Sequence, residues 1–327
     1  MKFGIRCSEG GHSFEEALSE VTLAESVGFD SAWIAEHHGW DDFWPSPHVA
    51  LAGLATATTQ IKLGTCVLIL PQANPVRLAG EISLLDVVSG GRVTLGVGVG
   101  WRGQEMENLG FPFRSRGERM TEHLNALLAV WEDDPASFDG SHVSFENFSL
   151  QPKPLQDPHP PIWVGGEADV ALKRAAVLGD AWLPVWRLNI DQLLERNQVY
   201  RSYLDEFGRA TAGREQPILR LLCIDEDTET ARESLRNQLE ALVSRYQQRG
   251  YEVPDYLHRA VSGHFDEVAD GRFIYGDPER CIATIDEISG TVGSNHFIFK
   301  LYNPGVEHEQ VMEQIELVGE EVIPQFR

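Results

Sequence analysis

Lysine is the residue this chain most lacks: it occurs only at Lys2, Lys62, Lys153, Lys173 and Lys300 in 327 residues. With arginine, the basic residues reach 27 against 50 acidic ones, a formal net charge of −23. The acids are dispersed rather than gathered in a tail, which describes a uniformly acidic surface. Such a surface repels polyanions, so neither nucleic acid nor an anionic membrane is an expected partner. Self-repulsion on this scale is relieved where salt screens charges beyond roughly 3 Å, as at 1 M. The composition therefore reads as halophilic, with an ordinary acidic cytosolic protein as the plainer alternative.

Cysteine is scarce as well. Cys7, Cys66, Cys223 and Cys281 show neither CxxC nor any other framework spacing, so free thiols in a reducing, cytoplasmic setting are expected. No apolar run approaches the roughly 20 residues of a membrane span, and residues 1–10 open as a strand rather than a signal peptide. The histidines include no HxH pair or clustered ligand set, so no metal site is expected. No linker-like composition splits the chain, and residues 1–327 read as one domain.

What is present alternates. Strand patterns at Lys2–Arg6, Ser31–Ala35, Ile61–Leu70 and Arg92–Val99 are separated by helical spacing at Phe14–Val27, Val49–Thr59 and Pro75–Val88, with Arg114–Trp131 following. Residues 133–160, with six prolines and glycines, break the rhythm as a surface excursion with a hairpin as one form. Strands then recur at Ile162–Val164, Asp180–Val185, Ile218–Ile224 and His296–Leu301 between further helices. Residues 250–276 read as a second insertion, whose aromatics and glycines suit a lid. Eight strands alternating with helices predict an α/β fold of the (β/α)8 TIM-barrel type, in which sites gather at the C-terminal strand ends.

The second predicted strand ends in Glu36-His37-His38, followed by a loop bearing Trp40, Phe43 and Trp44. Titratable groups at a buried strand end beside an aromatic loop describe a site; histidines that merely cap the strand are the competing reading. Neighbouring residues on a strand point to opposite faces, which argues against His37 and His38 sharing a metal. Gly98-Val-Gly100-Trp101-Arg-Gly103 matches GxGxxG, but it follows the fourth strand and lacks an acidic strand end about 20 residues on. The glycines instead allow close backbone approach to a flat ligand. Gly165 and Gly166 follow another strand and precede a helix, the arrangement of a phosphate cradle, although Glu167 beside them opposes an anion.

Taken together, Trp33-Ile-Ala-Glu36-His37-His38, Leu63-Gly-Thr-Cys66-Val67 through Pro71, Ser89-Gly-Gly-Arg92 through Trp101, Pro160-Pro-Ile-Trp-Val-Gly165-Gly166 and Gly276-Asp-Pro-Glu279 resemble the bacterial luciferase-like flavin-dependent oxidoreductases. The resemblance implies a barrel binding reduced FMN, or the deazaflavin F420, at its strand ends. It makes His37 the catalytic acid or base, places Glu36, Cys66, Val67, Gly98, Gly100, Gly165, Gly166 and Glu167 at the cofactor, and implies a cis peptide at Cys66–Val67. His38, Trp40, Trp44 and Trp101 are the expected substrate pocket. The implied partners are a small apolar or aromatic organic substrate, a separate flavin reductase and further copies of the chain. FMN implies monooxygenation, F420 implies hydride transfer, and a non-catalytic flavin-binding barrel is the third reading. Val99 stands where luciferase has a phosphate-binding arginine, which leaves Lys173 or Arg174 to supply charge.

Overall fold

The computed structural model describes residues 1–8, 13–39, 43–303 and 305–327. In chain order the elements are β1 (Lys2–Arg6), α1 (Phe14–Ser26), β2 (Ser31–Ile34), α2 (Pro47–Ala57), β3 (Lys62–Thr65), β4 (Leu68–Ile69), α3 (Pro75–Ser89) and β5 (Val93–Gly98). Then come α4 (Gly103–Asn108), α5 (Arg116–Glu132), β6 (Ala136–Asp139), β7 (Ser144–Phe148), β8 (Ile162–Gly165), α6 (Asp169–Leu178), β9 (Ala181–Leu183) and α7 (Ile190–Glu206). The chain closes with β10 (Pro217–Ile224), α8 (Thr228–Gln248), α9 (Asp255–Val261), α10 (Phe265–Ala269), β11 (Ile274–Gly276), α11 (Pro278–Val292), β12 (His296–Lys300) and α12 (His308–Leu317).

Local sequence sets many of these boundaries. Ser13 caps α1 in a reciprocal box with Glu16, Asn74 caps α3 ahead of Pro75, and Gly90 ends it in the left-handed region. These are the residue types that satisfy helix-end amides and carbonyls at little conformational cost.

The strands form a curled parallel sheet in the order β11–β10–β12–β1–β2–β3–β5–β8–β9, with β4 also paired to β5. The edge strand β9 approaches β10, the strand next to the opposite edge, with residues of the two within 8 Å. Helices cover the outside, where the largest apolar cluster lies between sheet and helices. A separate cluster of Trp33, Cys66, Trp163, Ala181, Leu183, Leu219 and Ile298 fills the inside of the curl. At its centre Trp33 and Trp163 stack 4.6 Å apart, and His296 sits edge-on to both. Ser31 Oγ accepts from Trp33 Nε1 at 2.8 Å and lies 2.7 Å from His296 Nε2, so the polar edges of this plug are satisfied. Gly64 makes room for Trp33: a Cβ there would lie 2.2 Å from the indole.

Three expectations need correction. The segment 61–70 is two short strands, because the ladder breaks at Cys66–Val67, where the peptide is cis as the resemblance implies. Residues 250–276 are not wholly an insertion, since Ile274–Gly276 joins the main sheet as β11 beside β10. Three apolar residues within an aromatic- and glycine-rich stretch are too few to show an alternation. The rest of that segment packs α9 and α10 against α8 through Leu239, Leu257, Phe265 and Val268. Helix α4 is an element that the alternation missed. The excursion at 133–160 does form an antiparallel hairpin, β6–β7.

Candidate active site

Beyond Ile34 the chain leaves the β2 ladder and is held by its neighbours. Glu36 N donates to Val67 O at 3.1 Å and His37 N to Trp44 O at 3.4 Å. The Glu36 carboxylate accepts from Ile69 N at 2.6 Å and meets His38 Nε2 at 2.8 Å. Glu36 is thereby committed to β4 and to His38. That pairing raises the His38 pKa above the usual histidine value, against the opposing effect of burial.

His37 is oriented by a residue absent from the sequence expectations. Gly100, at φ 73°, turns the chain out of β5, and the short helix α4 then anchors itself through Met106, 1 % exposed. Its first turn carries Glu105, where the helix dipole favours an acid. The Glu105 side chain is 1 % exposed. One carboxylate oxygen lies 2.9 Å from His37 Nδ1 and the other accepts from His38 N at 2.5 Å. Arg102 Nη1 adds a longer contact at 3.5 Å. Burial would raise the Glu105 pKa, but the His37 bond and charge, the His38 amide and Arg102 outweigh it and hold the carboxyl below its usual range. A carboxylate only accepts, so Nδ1 carries the proton in this bond. The signal for Glu105 was weak because it is one acid among 50, 68 positions from its partner.

Aromatic rings frame His37. Phe43 meets it edge-on at 4.6 Å and Trp101 at 6.0 Å. Trp101, about half exposed at 49 %, lies parallel to Tyr246 at 6.5 Å and edge-on to Tyr251 at 5.4 Å. Arg102 ties this group to the site by donating to Tyr251 Oη at 2.7 and 2.9 Å and to His38 O at 3.2 Å. Tyr251 thus brings the region after α8 to the mouth of the curl. Trp44 lies edge-on to Phe14 at 6.2 Å with Nε1 on Ser8 O, and its carbonyl accepts from His37 N. Trp40 lies outside the described residues.

The remaining expected residues line the next strand ends. Val67 fits among glycines: a Cβ on Gly98 would lie 2.7 Å from its Cγ2, and one on Gly165 3.1 Å from its Cγ1. Cys66 is buried in the interior cluster. Gly166, at φ 139°, accepts from Trp182 Nε1 at 2.6 Å. Helix α6 begins without a side-chain cap, which leaves first-turn amides for water or a ligand. Glu167 pairs with Arg187 from the loop after β9, so its charge is offset by a residue that the sequence did not single out. Lys173 and Arg174 are engaged elsewhere. Lys173 lies over Tyr203 and Phe207, and Arg174 bonds Thr121 Oγ1 and Gly117 O.

Residues 1–295 match the family model described as luciferase-like monooxygenase. The oxygenase component of a flavin-dependent trigonelline monooxygenase from Acinetobacter baylyi is 32 % identical over 154 residues, 46 % of this chain and 42 % of that one. The monooxygenase RslO1 from Streptomyces bottropensis superposes with a TM-score of 0.86 at 24 % identity, covering 100 % of both chains. A coenzyme F420-dependent tetrahydromethanopterin reductase from Methanopyrus kandleri gives 0.82 at 22 % identity over 100 % of this chain and 99 % of that one. These two structures share the fold. The match to the family model spans nine-tenths of the sequence and includes β2, β5 and β8, whose ends carry the site. This chain belongs to the luciferase-like monooxygenase family of flavin-dependent enzymes.

Proposed function

We propose that the protein is a reduced-flavin-dependent monooxygenase acting on an apolar or aromatic small organic substrate, with His37 as its catalytic acid or base. The observation that carries this is the buried Glu105 carboxylate on His37 Nδ1, which fixes the orientation of the ring at the strand end. Cofactor fit rests on the glycine-flanked Val67 step and on the uncapped start of α6 behind Gly165 and Gly166. Glu36, Cys66, Val67, Gly98 and Gly100 would flank the flavin ring system. Gly165, Gly166 and the Glu167–Arg187 pair would receive the phosphate, and His38 and Trp101 the substrate. The flavin, when bound, supplies the electrons; His37 moves a proton, and Trp101, Tyr246 and Tyr251 keep water from the mouth.

FMN is favoured because the Glu36-His37-His38 form of the motif resembles the FMN-using members. F420-dependent hydride transfer is the second reading, supported by the acidic composition. The fuller picture takes residues 1–327 as one (β/α)8 barrel with its seam between β9 and β10, self-associating and served by a separate flavin reductase. Exposed Val49, Leu84, Val87 and Val88 on α2 and α3 support self-association. Reconstitution of the protein with FMN and with F420 in molar KCl, followed by absorbance and fluorescence titration, decides the cofactor. Binding of neither would defeat the reading. Oxygen uptake with reduced FMN then separates monooxygenation from hydride transfer.

A further inference from the structure

Arg220 lies within β10 and is 0 % exposed. Its neighbours on the same strand face, Ile218 and Leu222, belong to the largest apolar cluster. On one side the strand pairs with β12 at this level. On the other, β9 approaches without joining the ladder, and β11 joins it from Leu222 onward. Arg220 therefore sits where the curl nearly closes. Its Nη1 donates to Trp186 O at 3.3 Å and to Leu219 O at 3.2 Å. Nε and Nη2 are buried as well and meet no acceptor among the described residues. In a chain with 50 acidic residues, the charge that acts on Arg220 is a second cation, Arg272. Arg272 Nε donates to Arg187 O at 2.7 Å, the carbonyl next to the one that Arg220 holds. Burial, and after it Arg272, pull the Arg220 pKa down to about 9, which leaves the group charged at neutral pH.

We propose that the Nε–Nη2 edge of Arg220 binds a small monovalent inorganic anion, a buried counter-ion enclosed between β9 and β10. Nε and Nη2 form one side of the guanidinium fork, the side that presents two parallel N–H groups to a single anionic partner. Arg232 uses that same edge in this chain, holding the two oxygens of Asp266 at 2.9 and 2.7 Å. A buried charge without a partner is strongly destabilising. A water molecule satisfies the two N–H groups but leaves the charge uncompensated, whereas an anion answers both costs. The ion would also steady the turn after β9, because Arg220 and Arg272 hold its consecutive carbonyls at Trp186 and Arg187. Arg187 is the partner of Glu167 beside the Gly165–Gly166 loop. The inference stands independently of the flavin reading.

The test compares thermal melts of the full chain in KCl and in potassium gluconate at equal ionic strength, for the wild type and for Arg220→Met. Equal ionic strength removes the general screening of the acidic surface, and the variant carries any other effect of exchanging the two salts. Chloride should favour the wild type over the variant by roughly 1–2 °C, the shift that about fivefold saturation gives in a chain of this size. An equal chloride–gluconate difference in both proteins overturns the proposal. Crystals of the wild type grown in KBr supply a readout that needs no variant, should Arg220→Met fail to fold. Anomalous scattering should place bromide within hydrogen-bond reach of Arg220 Nε and Nη2. A water molecule at that position, with no anomalous signal, overturns the proposal as well.

Discussion

Replacing Glu105 with glutamine keeps the side chain's size while removing its charge, and so isolates what the carboxylate does for His37. In the wild type the two oxygens hold His37 Nδ1 at 2.9 Å and His38 N at 2.5 Å in a pocket where the side chain is 1 % exposed. A glutamine can retain one acceptor and presents an NH2 group to the other partner. The loss is that of one charge-assisted hydrogen bond, about 1.5–3 kcal/mol. At about 1.4 kcal/mol per tenfold, turnover should fall roughly 10- to 150-fold. The assay is stopped-flow reoxidation of bound reduced flavin together with product formation, with a thermal melt as the folding control. Two further readouts separate positioning from mere packing. The 15N shifts of the His37 ring should move from the Nδ1–H form towards a tautomer mixture. His37→Asn should cost roughly 10²–10⁴-fold, and adding Glu105→Gln should make it little worse, since both act through one ring. A double variant whose losses multiply, or a Glu105→Gln enzyme with full turnover, refutes the reasoning.

Other outcomes follow from the same geometry. His38 has a raised pKa through Glu36, so the pair's contribution to stability is full below about pH 6.5 and is lost as pH rises through the raised value. Melts from pH 5 to 9 should show the gap between wild type and Glu36→Gln widest on the acid side and narrowing in alkali, where only the bond from Ile69 N still separates them; a constant gap would contradict the pairing. Gly64→Ala forces a methyl to 2.2 Å from Trp33 and should cost about 1–3 kcal/mol in urea unfolding, the range for overpacked cores. The formal charge of −23 predicts a melting temperature that climbs steeply between low and molar KCl, and a flat profile would remove the halophilic reading.

Much of the fold was legible because buried parallel strands are apolar runs and because their caps are local. Ser13, Asn74 and Gly90 mark helix ends within a few residues of where they act. Elements whose identity depends on distant partners were not legible. β11 is three residues long and becomes a strand only because β10 offers Leu222 to Ile224 beside it. The site divided in the same way. His37 stood out at a strand end, but nothing in their immediate sequence marks Glu105, which bonds its ring, Arg102 and Tyr251 beside it, or Arg187, which pairs with Glu167. The expectation that His37 and His38 serve separate faces needs a refinement. Their side chains do have different partners, yet one carboxylate holds the ring of the first and the amide of the second.

The stacked Trp33 and Trp163, with His296 edge-on to both, have a kinetic consequence. They fill the inside of the curl among the described residues, so a ligand seated on the interior cluster would enter past the rim where Trp101 and Tyr251 stand. Two ligands entering past the same rim would queue. Whichever lies deeper arrives first and departs last, and the later arrival traps the earlier one for as long as it stays. A compulsory order of that kind would let a loosely held cofactor complete a turnover before it could escape.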